Sequence, residues 1–187
     1  MPSPFRPATE LMVQYAAYHR DRRNIATHFA GIPMIVFAGI LALATIAFPL
    51  GIVTLTAAAV LSIALVAYYL VLDRALGMAM AIALFLMCAG ASEVTARLST
   101  GATLGTALIV FVAGWALQFL GHRYEGMKPA FYDDVKQLLI GPLFVCAEVF
   151  FMLGAKADLR RYIEARVGPT VARRDGASLT PGQPATH

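Results

Sequence analysis

Long apolar runs without charge dominate this sequence and leave few folds open to it. Residues 29–48 and 52–72 contain no charged side chain, and two similar runs cover residues 75–92 and 103–121. A transmembrane helix needs about 20 apolar residues, within a range of about 17–25. Because lipid offers the backbone no hydrogen-bond partners, each run is predicted to be a membrane-spanning helix.

The composition supports this reading. Of the 187 residues, 59% are hydrophobic and 14% are charged, and the mean hydropathy is +0.68. A typical soluble domain is about 45–50% apolar and about 25% charged. These values argue against a soluble globule, a disordered chain and a nucleic-acid-binding module, so we expect membrane lipid and no nucleic acid as a partner.

A fifth apolar run, residues 138–153, is shorter than the others. It holds a Gly141-Pro142 pair near its start and Glu148 in its middle. At 1.5 Å per residue its 16 residues would cover about 24 Å, less than the roughly 30 Å of hydrocarbon. Basic side chains precede the first run and follow the fifth, and such flanks prefer the cytosol. Four spans place both basic ends there, so we expect the fifth segment to be short, tilted or re-entrant.

The predicted fold class is therefore all-α. We expect an integral membrane helical bundle with four long spans, the short fifth apolar helix and an N-terminal amphipathic helix from about Thr9 to Arg20 at the membrane surface.

Residues 1–167 are expected to form a single membrane-embedded domain, and residues 168–187 a disordered tail. The Ala, Gly and Arg content favours a bacterial inner membrane, with both termini at the cytoplasmic face.

Three histidines lie beside the ends of predicted spans. His19 and His28 precede the first span, and His122 follows the fourth. Four spans bring both places to the same membrane face, so these side chains are able to converge. Three neutral imidazoles suit Fe, Zn, Cu or Ni and leave positions open for substrate, oxygen or water. The alternative is that all three are interfacial histidines that bind no metal.

Other polar residues accompany the histidines. Gln118, His122 and Glu125 follow one another at helical spacing, so they share one face if the fourth helix continues that far. Together with Asn24 they are candidates to hydrogen-bond the ring N–H of a metal-bound histidine. Glu148 is the single acid inside an apolar run, which makes it a functional candidate, although an interfacial ion pair would also account for it.

Three segments of the chain resemble a known family. They read YHRDRRNIATHFAGIP at residues 18–33, GWALQFLGHRYEGMKPA at 114–130 and GPLFVCAE at 141–148. Together they resemble the small membrane proteins typified by the fungal endoplasmic-reticulum 2-hydroxy fatty acid dioxygenase. The middle segment is the most specific, and the resemblance extends over about residues 11–155.

The resemblance implies an Fe(II)-dependent enzyme of fatty acid alpha-oxidation, which uses O2 to shorten a 2-hydroxy long-chain fatty acid by one carbon. It implies that His19, His28 and His122 are the iron ligands. Four further residues match motif positions and become candidate catalytic residues without individual roles: Asn24, Gln118, Glu125 and Glu148. One departure is Arg20, where the fungal enzyme has a second histidine, so a fourth imidazole from that position is lacking.

Two other functions remain compatible with the residues. The chain could be a non-catalytic membrane protein that binds lipid or assists assembly, with interfacial histidines. It could also be a zinc-dependent lipid hydrolase, because three histidines suit zinc with an activated water. The presence and the identity of a bound metal separate these functions.

Overall fold

The computed structural model of the chain describes residues 8–127 and 136–171, and helices make up most of them. The elements, in chain order, are helices α1 (Ala8–Ala16) and α2 (Arg22–Ala44), strands β1 (Ala47–Leu50) and β2 (Val53–Thr56), and helices α3 (Ala57–Leu72), α4 (Arg74–Arg97), α5 (Thr100–Glu125), α6 (Gln137–Met152) and α7 (Ala157–Val167). The chain divides into two compact units: Met1–Ile32 with Ala116–His187, and Pro33–Trp115.

The four-span prediction is confirmed only in part. Helices α2, α4 and α5 are long and apolar enough to cross a membrane. Helices α6 and α7 meet at a bend of 113° and would add a fourth span if they act as one broken span. The predicted short, tilted or re-entrant fifth segment thus corresponds to α6.

The second predicted span, residues 52–72, differs from the structure. Its first residues form an antiparallel hairpin, in which Leu50 pairs with Val53 and Gly51 adopts a φ of 66° in the two-residue turn. The side chain of Thr56 then accepts a hydrogen bond from the backbone N–H of Ala59 and caps α3. Only 16 residues remain for the helix, about 24 Å of length, which is short of the hydrocarbon thickness.

The N-terminal helix is present but ends at Ala16 rather than at Arg20. The backbone N–H of His19 and the Nε of Arg20 both donate to the carbonyl of Ala16, which terminates the helix. Helix α1 packs on α6 and α7, and it buries Leu11, Met12 and Tyr15. Its predicted position at the membrane surface stays a prediction.

The single domain over residues 1–167 also stays a prediction. Residues 172–187 of the predicted tail lie outside the described part of the chain, whereas residues 168–171 are described.

Within the second unit, a tight turn joins α3 and α4. The Asp73 side chain accepts hydrogen bonds from the backbone N–H groups of Ala75 and Leu76, and so caps α4. Gly77 sits where the two helices approach most closely, because a Cβ at this position would lie 2.6 Å from the backbone nitrogen of Leu70. Neither backbone can yield to such a contact without moving the helices apart.

We therefore expect Gly77→Ala to lower the thermal unfolding midpoint in detergent by several degrees, as an overpacked contact costs about 1–3 kcal/mol. Gly105→Ala is the matched control. Gly105 has open space around its Cβ position, so alanine there is expected to raise the midpoint slightly through its helix propensity. Equal midpoints for the two variants would contradict the close approach at Gly77.

Candidate metal centre

The three predicted histidines come together within the first compact unit. His19 lies in the loop between α1 and α2, His28 in the second turn of α2, and His122 in the last turn of α5. One ring nitrogen from each histidine lies within 4.8 Å of the others. All three side chains are buried, with exposed fractions of 1%, 2% and 7%. The cluster is therefore able to hold a metal ion.

Hydrogen bonds to backbone carbonyls orient two of the rings. The Nδ1 of His19 lies 2.8 Å from the carbonyl oxygen of Tyr15, and the Nδ1 of His28 lies 2.9 Å from that of Asn24. A carbonyl only accepts, so each Nδ1 carries the proton and donates it. In the neutral rings, both Nε2 atoms are then left with a lone pair.

Those two Nε2 atoms lie 3.1 Å apart. Two facing lone pairs repel unless a proton or a metal ion lies between them. Burial, together with the nearby rings of His28 and His122, holds the pKa of His19 well below its usual value, so an extra proton is disfavoured. This arrangement suits a cation other than a proton.

The spacing also fits a metal ion. Two nitrogens that each lie about 2.1 Å from one ion are separated by about 3.0 Å at a right angle and by about 3.4 Å at the tetrahedral angle. In addition, the Nδ1 of His122 is buried and has no hydrogen-bond partner. The donor set thus meets the requirements of a three-histidine site.

A buried carboxylate holds the loop that carries His19. The Oε2 atom of Glu125 accepts hydrogen bonds from the backbone N–H groups of Arg20 and Asp21, at 3.0 and 2.7 Å, and from the Nδ2 of Asn24 at 3.1 Å. Glu125, Asp21 and Asn24 are at most 1% exposed. Glu125 and Asn24 were predicted to bind the ring N–H of a histidine. Asn24 does so for His28, through its backbone carbonyl, whereas the carbonyl of Tyr15 fills that position for His19.

Gln118 lies one turn before His122, and α5 continues to Glu125, so the predicted polar stripe on one helix face is present. The Gln118 side chain is 6% exposed, and its Nε2 donor has no hydrogen-bond partner in the structure. A buried donor without a partner is costly, which makes such groups candidates for binding a ligand.

Glu148 occupies a different setting. It lines a cavity of about 530 Å³ in the same unit, together with Arg20, Arg22 and Arg160. The described lining residues of this cavity include none of the three histidines. The structure therefore places Glu148 near arginines rather than among the three histidines.

Two residues at the cluster were given no role at the site by sequence reasoning. The Tyr15 ring stacks on the His19 ring, with the centroids 4.1 Å apart and the planes at 2°. Gly121 faces α2 so closely that a Cβ would lie 2.5 Å from the Oδ1 of Asn24, and it would also clash with Thr27 Oγ1. Helical spacing pointed to Tyr15 only as an apolar position, and Gly121 was a motif position of the family resemblance to which no role was given.

Gly121→Ala is expected to push α5 away from α2 and separate His122 from His28. Metal retained after purification should fall at least tenfold, because about 1 Å of displacement at a constellation of this kind is enough to impair it. Metal analysis beside the control Gly105→Ala measures this. Full metal retention in Gly121→Ala would contradict the close contact.

Comparison with known proteins adds to this geometry. No solved structure matches the chain significantly. The curated protein "2-hydroxy-palmitic acid dioxygenase MPO1" of Saccharomyces cerevisiae is 30% identical over 152 residues, which cover 80% of this chain and 83% of that protein. The family model described as "2-hydroxy-palmitic acid dioxygenase Mpo1-like" matches residues 5–153. The resemblance inferred from the three segments is thereby confirmed, and the chain belongs to the Mpo1-like family.

Proposed function

We propose that this protein is an Fe(II)-dependent dioxygenase that removes C1 from 2-hydroxy long-chain fatty acids. Family membership supports a dioxygenase of 2-hydroxy fatty acids. The observation that carries the metal assignment is the 3.1 Å separation of the two Nε2 atoms of His19 and His28, with both Nδ1 protons directed to carbonyls.

The reaction balances without a further reductant. A 2-hydroxy acid and O2 give the acid shortened by one carbon, CO2 and water. The C1–C2 bond breaks, C2 is oxidised from a secondary alcohol to a carboxyl group, C1 leaves as CO2, and O2 is fully reduced. The substrate supplies all four electrons, so neither a nicotinamide nor a 2-oxo acid is required.

His19, His28 and His122 are proposed to hold the iron. Bound Fe(II) supplies the one-electron chemistry with O2 that amino-acid side chains lack. The protein keeps the three imidazoles neutral and fixes the orientation of two of them through backbone carbonyls. Because the cluster is buried, bulk water is excluded from it.

The polar residues around the cluster are proposed to have separate tasks. Gln118 donates from its free Nε2 to an oxygen of the 2-hydroxy acid. Glu125 and Asn24 act by holding the His19 loop, through the hydrogen bonds that converge on Oε2. Glu148 contributes negative charge beside Arg20 and Arg160 in the neighbouring cavity.

A membrane location suits the substrate. The acyl tail of a long-chain fatty acid can remain among apolar helices, while the polar head reaches the cluster. We also propose that the cluster lies at the cytoplasmic face of an inner membrane, because Arg22 and Arg23 begin α2 and Arg160, Arg161 and Arg166 lie in α7.

Elemental analysis of anaerobically purified protein, with an oxygen electrode, tests the metal assignment. Near-stoichiometric iron and O2 consumption with 2-hydroxypalmitate are expected in the wild type. Both the bound iron and the O2 consumption should be lost in His19→Ala, His28→Ala and His122→Ala, because a three-histidine site that has lost one ligand does not retain iron. His187→Ala, in the fourth histidine, is the control and should keep both.

Two results would argue against the proposal. Zinc in place of iron, after iron-supplemented growth, would favour hydrolysis by an activated water. Absence of any metal would favour a non-catalytic membrane protein with buried histidines.

Gln118→Leu tests the role of the amide donor separately from metal binding. Leucine removes a buried donor that has no partner, so the unfolding midpoint should stay equal or rise. Iron content should be unchanged, while kcat/KM for 2-hydroxypalmitate falls about tenfold or more, the usual effect of losing one charge-assisted hydrogen bond. Unaltered kinetics in a stable, iron-replete variant would rule out the donor role.

A further inference from the structure

The residues that follow α7 return to the loop that carries His19. We call Gly168–Val171 the C-terminal strap. The backbone N–H of Val171 donates to the carbonyl of Arg20 at 2.8 Å, and the N–H of Arg22 donates to the carbonyl of Val171 at 3.0 Å. These bonds form a parallel β-bridge between Asp21 and Val171.

A side chain adds a third attachment. The Nη1 of Arg20 donates to the carbonyl of Gly168 at 2.9 Å, and its Nε donates to the carbonyls of Ala16 and His19. Arg20 is only 4% exposed, so its guanidinium lies inside the protein, where it donates hydrogen bonds to backbone oxygens. The strap and the end of α1 are thus joined through one arginine.

The strap and Glu125 hold the same short stretch of backbone by different atoms. Glu125 binds the N–H groups of Arg20 and Asp21, whereas the strap binds the carbonyl of Arg20 and the N–H of Arg22. Between them they fix successive peptide groups directly after His19. Since a ligand set works only when it is held within about 0.5 Å, such fixing bears on metal affinity.

The strap also lies beyond the part of the chain that the family model matches, which ends at residue 153. We propose that the C-terminal strap is a positioning element of the metal centre: it orders the His19 loop and so raises the affinity of the three histidines for a divalent metal. This inference rests on the proposed function only in that the three histidines bind a metal.

Titration of the metal-free protein with Co(II) in detergent tests the strap, because the d–d absorption of Co(II) reports both affinity and ligand geometry. Val171→Pro removes the N–H that bonds to Arg20 while keeping the chain length. Val171→Ala keeps that N–H and is the conservative counterpart. Chains that end after Val167 and after Val171 separate the strap from the residues beyond it.

We expect Val171→Pro and the chain ending after Val167 to bind Co(II) at least about tenfold more weakly, with altered d–d bands, because the first loses one of the three hydrogen bonds of the strap and the second loses all three. Val171→Ala and the chain ending after Val171 should retain the wild-type affinity and spectrum. That pattern would establish the strap as a positioning element.

Other outcomes would overturn the proposal. Unchanged Co(II) affinity and spectrum in Val171→Pro, even with a lowered unfolding midpoint, would reduce the strap to a purely structural role. Should Val171→Pro fail to fold, equal Co(II) binding by the chains ending after Val167 and after Val171 would have the same meaning. A wild-type chain that binds no Co(II) would reject the metal centre itself, a result distinct from equal binding by all variants.

Discussion

The arrangement of the histidine cluster depends on one buried carboxylate. Glu125, at the end of α5, accepts hydrogen bonds from two successive backbone N–H groups and from the Asn24 amide. These donors belong to the loop and the first turn of α2, so one side chain fixes the place where α2 begins relative to the end of α5. His122 is three residues before Glu125, and His19 is one residue before the first N–H that it binds. The distances within the cluster follow from that junction.

Neutrality of the imidazoles is the second condition: burial secures it, and the backbone decides which ring nitrogen carries the proton in two of them. The partners of the two Nδ1 atoms are carbonyls four residues earlier in the chain, so the protein needs no acidic residue to orient these rings. A carboxylate in the same place would raise the basicity of the ring and add charge to a buried site. The buried carboxylate of Glu125 instead accepts hydrogen bonds from backbone N–H groups of the loop that carries His19.

Long helices and the meeting of the three histidines could be predicted from the sequence, whereas the hairpin strands and the partners of Glu125 could not. Apolar runs predicted three long helices correctly. The expected convergence of His19, His28 and His122 is confirmed, whereas the count of four spans from which it was inferred is confirmed only in part. The strands of the hairpin were missed, although a tight turn at residues 49–51 was expected, because residues 47–56 carry no charge and continue the apolar runs on either side. The partners of Glu125 were missed because they are backbone N–H groups, which every residue except proline has and no sequence pattern marks.

The hairpin between α2 and α3 has a consequence for how deep this end of the chain can lie. A two-stranded ladder leaves the outer edges of both strands without strand partners, and hydrocarbon supplies none. Yet the apolar side chains of Phe48 and Leu50 are about half exposed, and that of Ile52 is fully exposed. The interface between lipid headgroups and acyl chains suits both features. It offers water to the free backbone groups of the strand edges and hydrocarbon to the apolar side chains. We therefore expect the hairpin to lie at a bilayer surface and to set how deeply this end of the second unit is immersed.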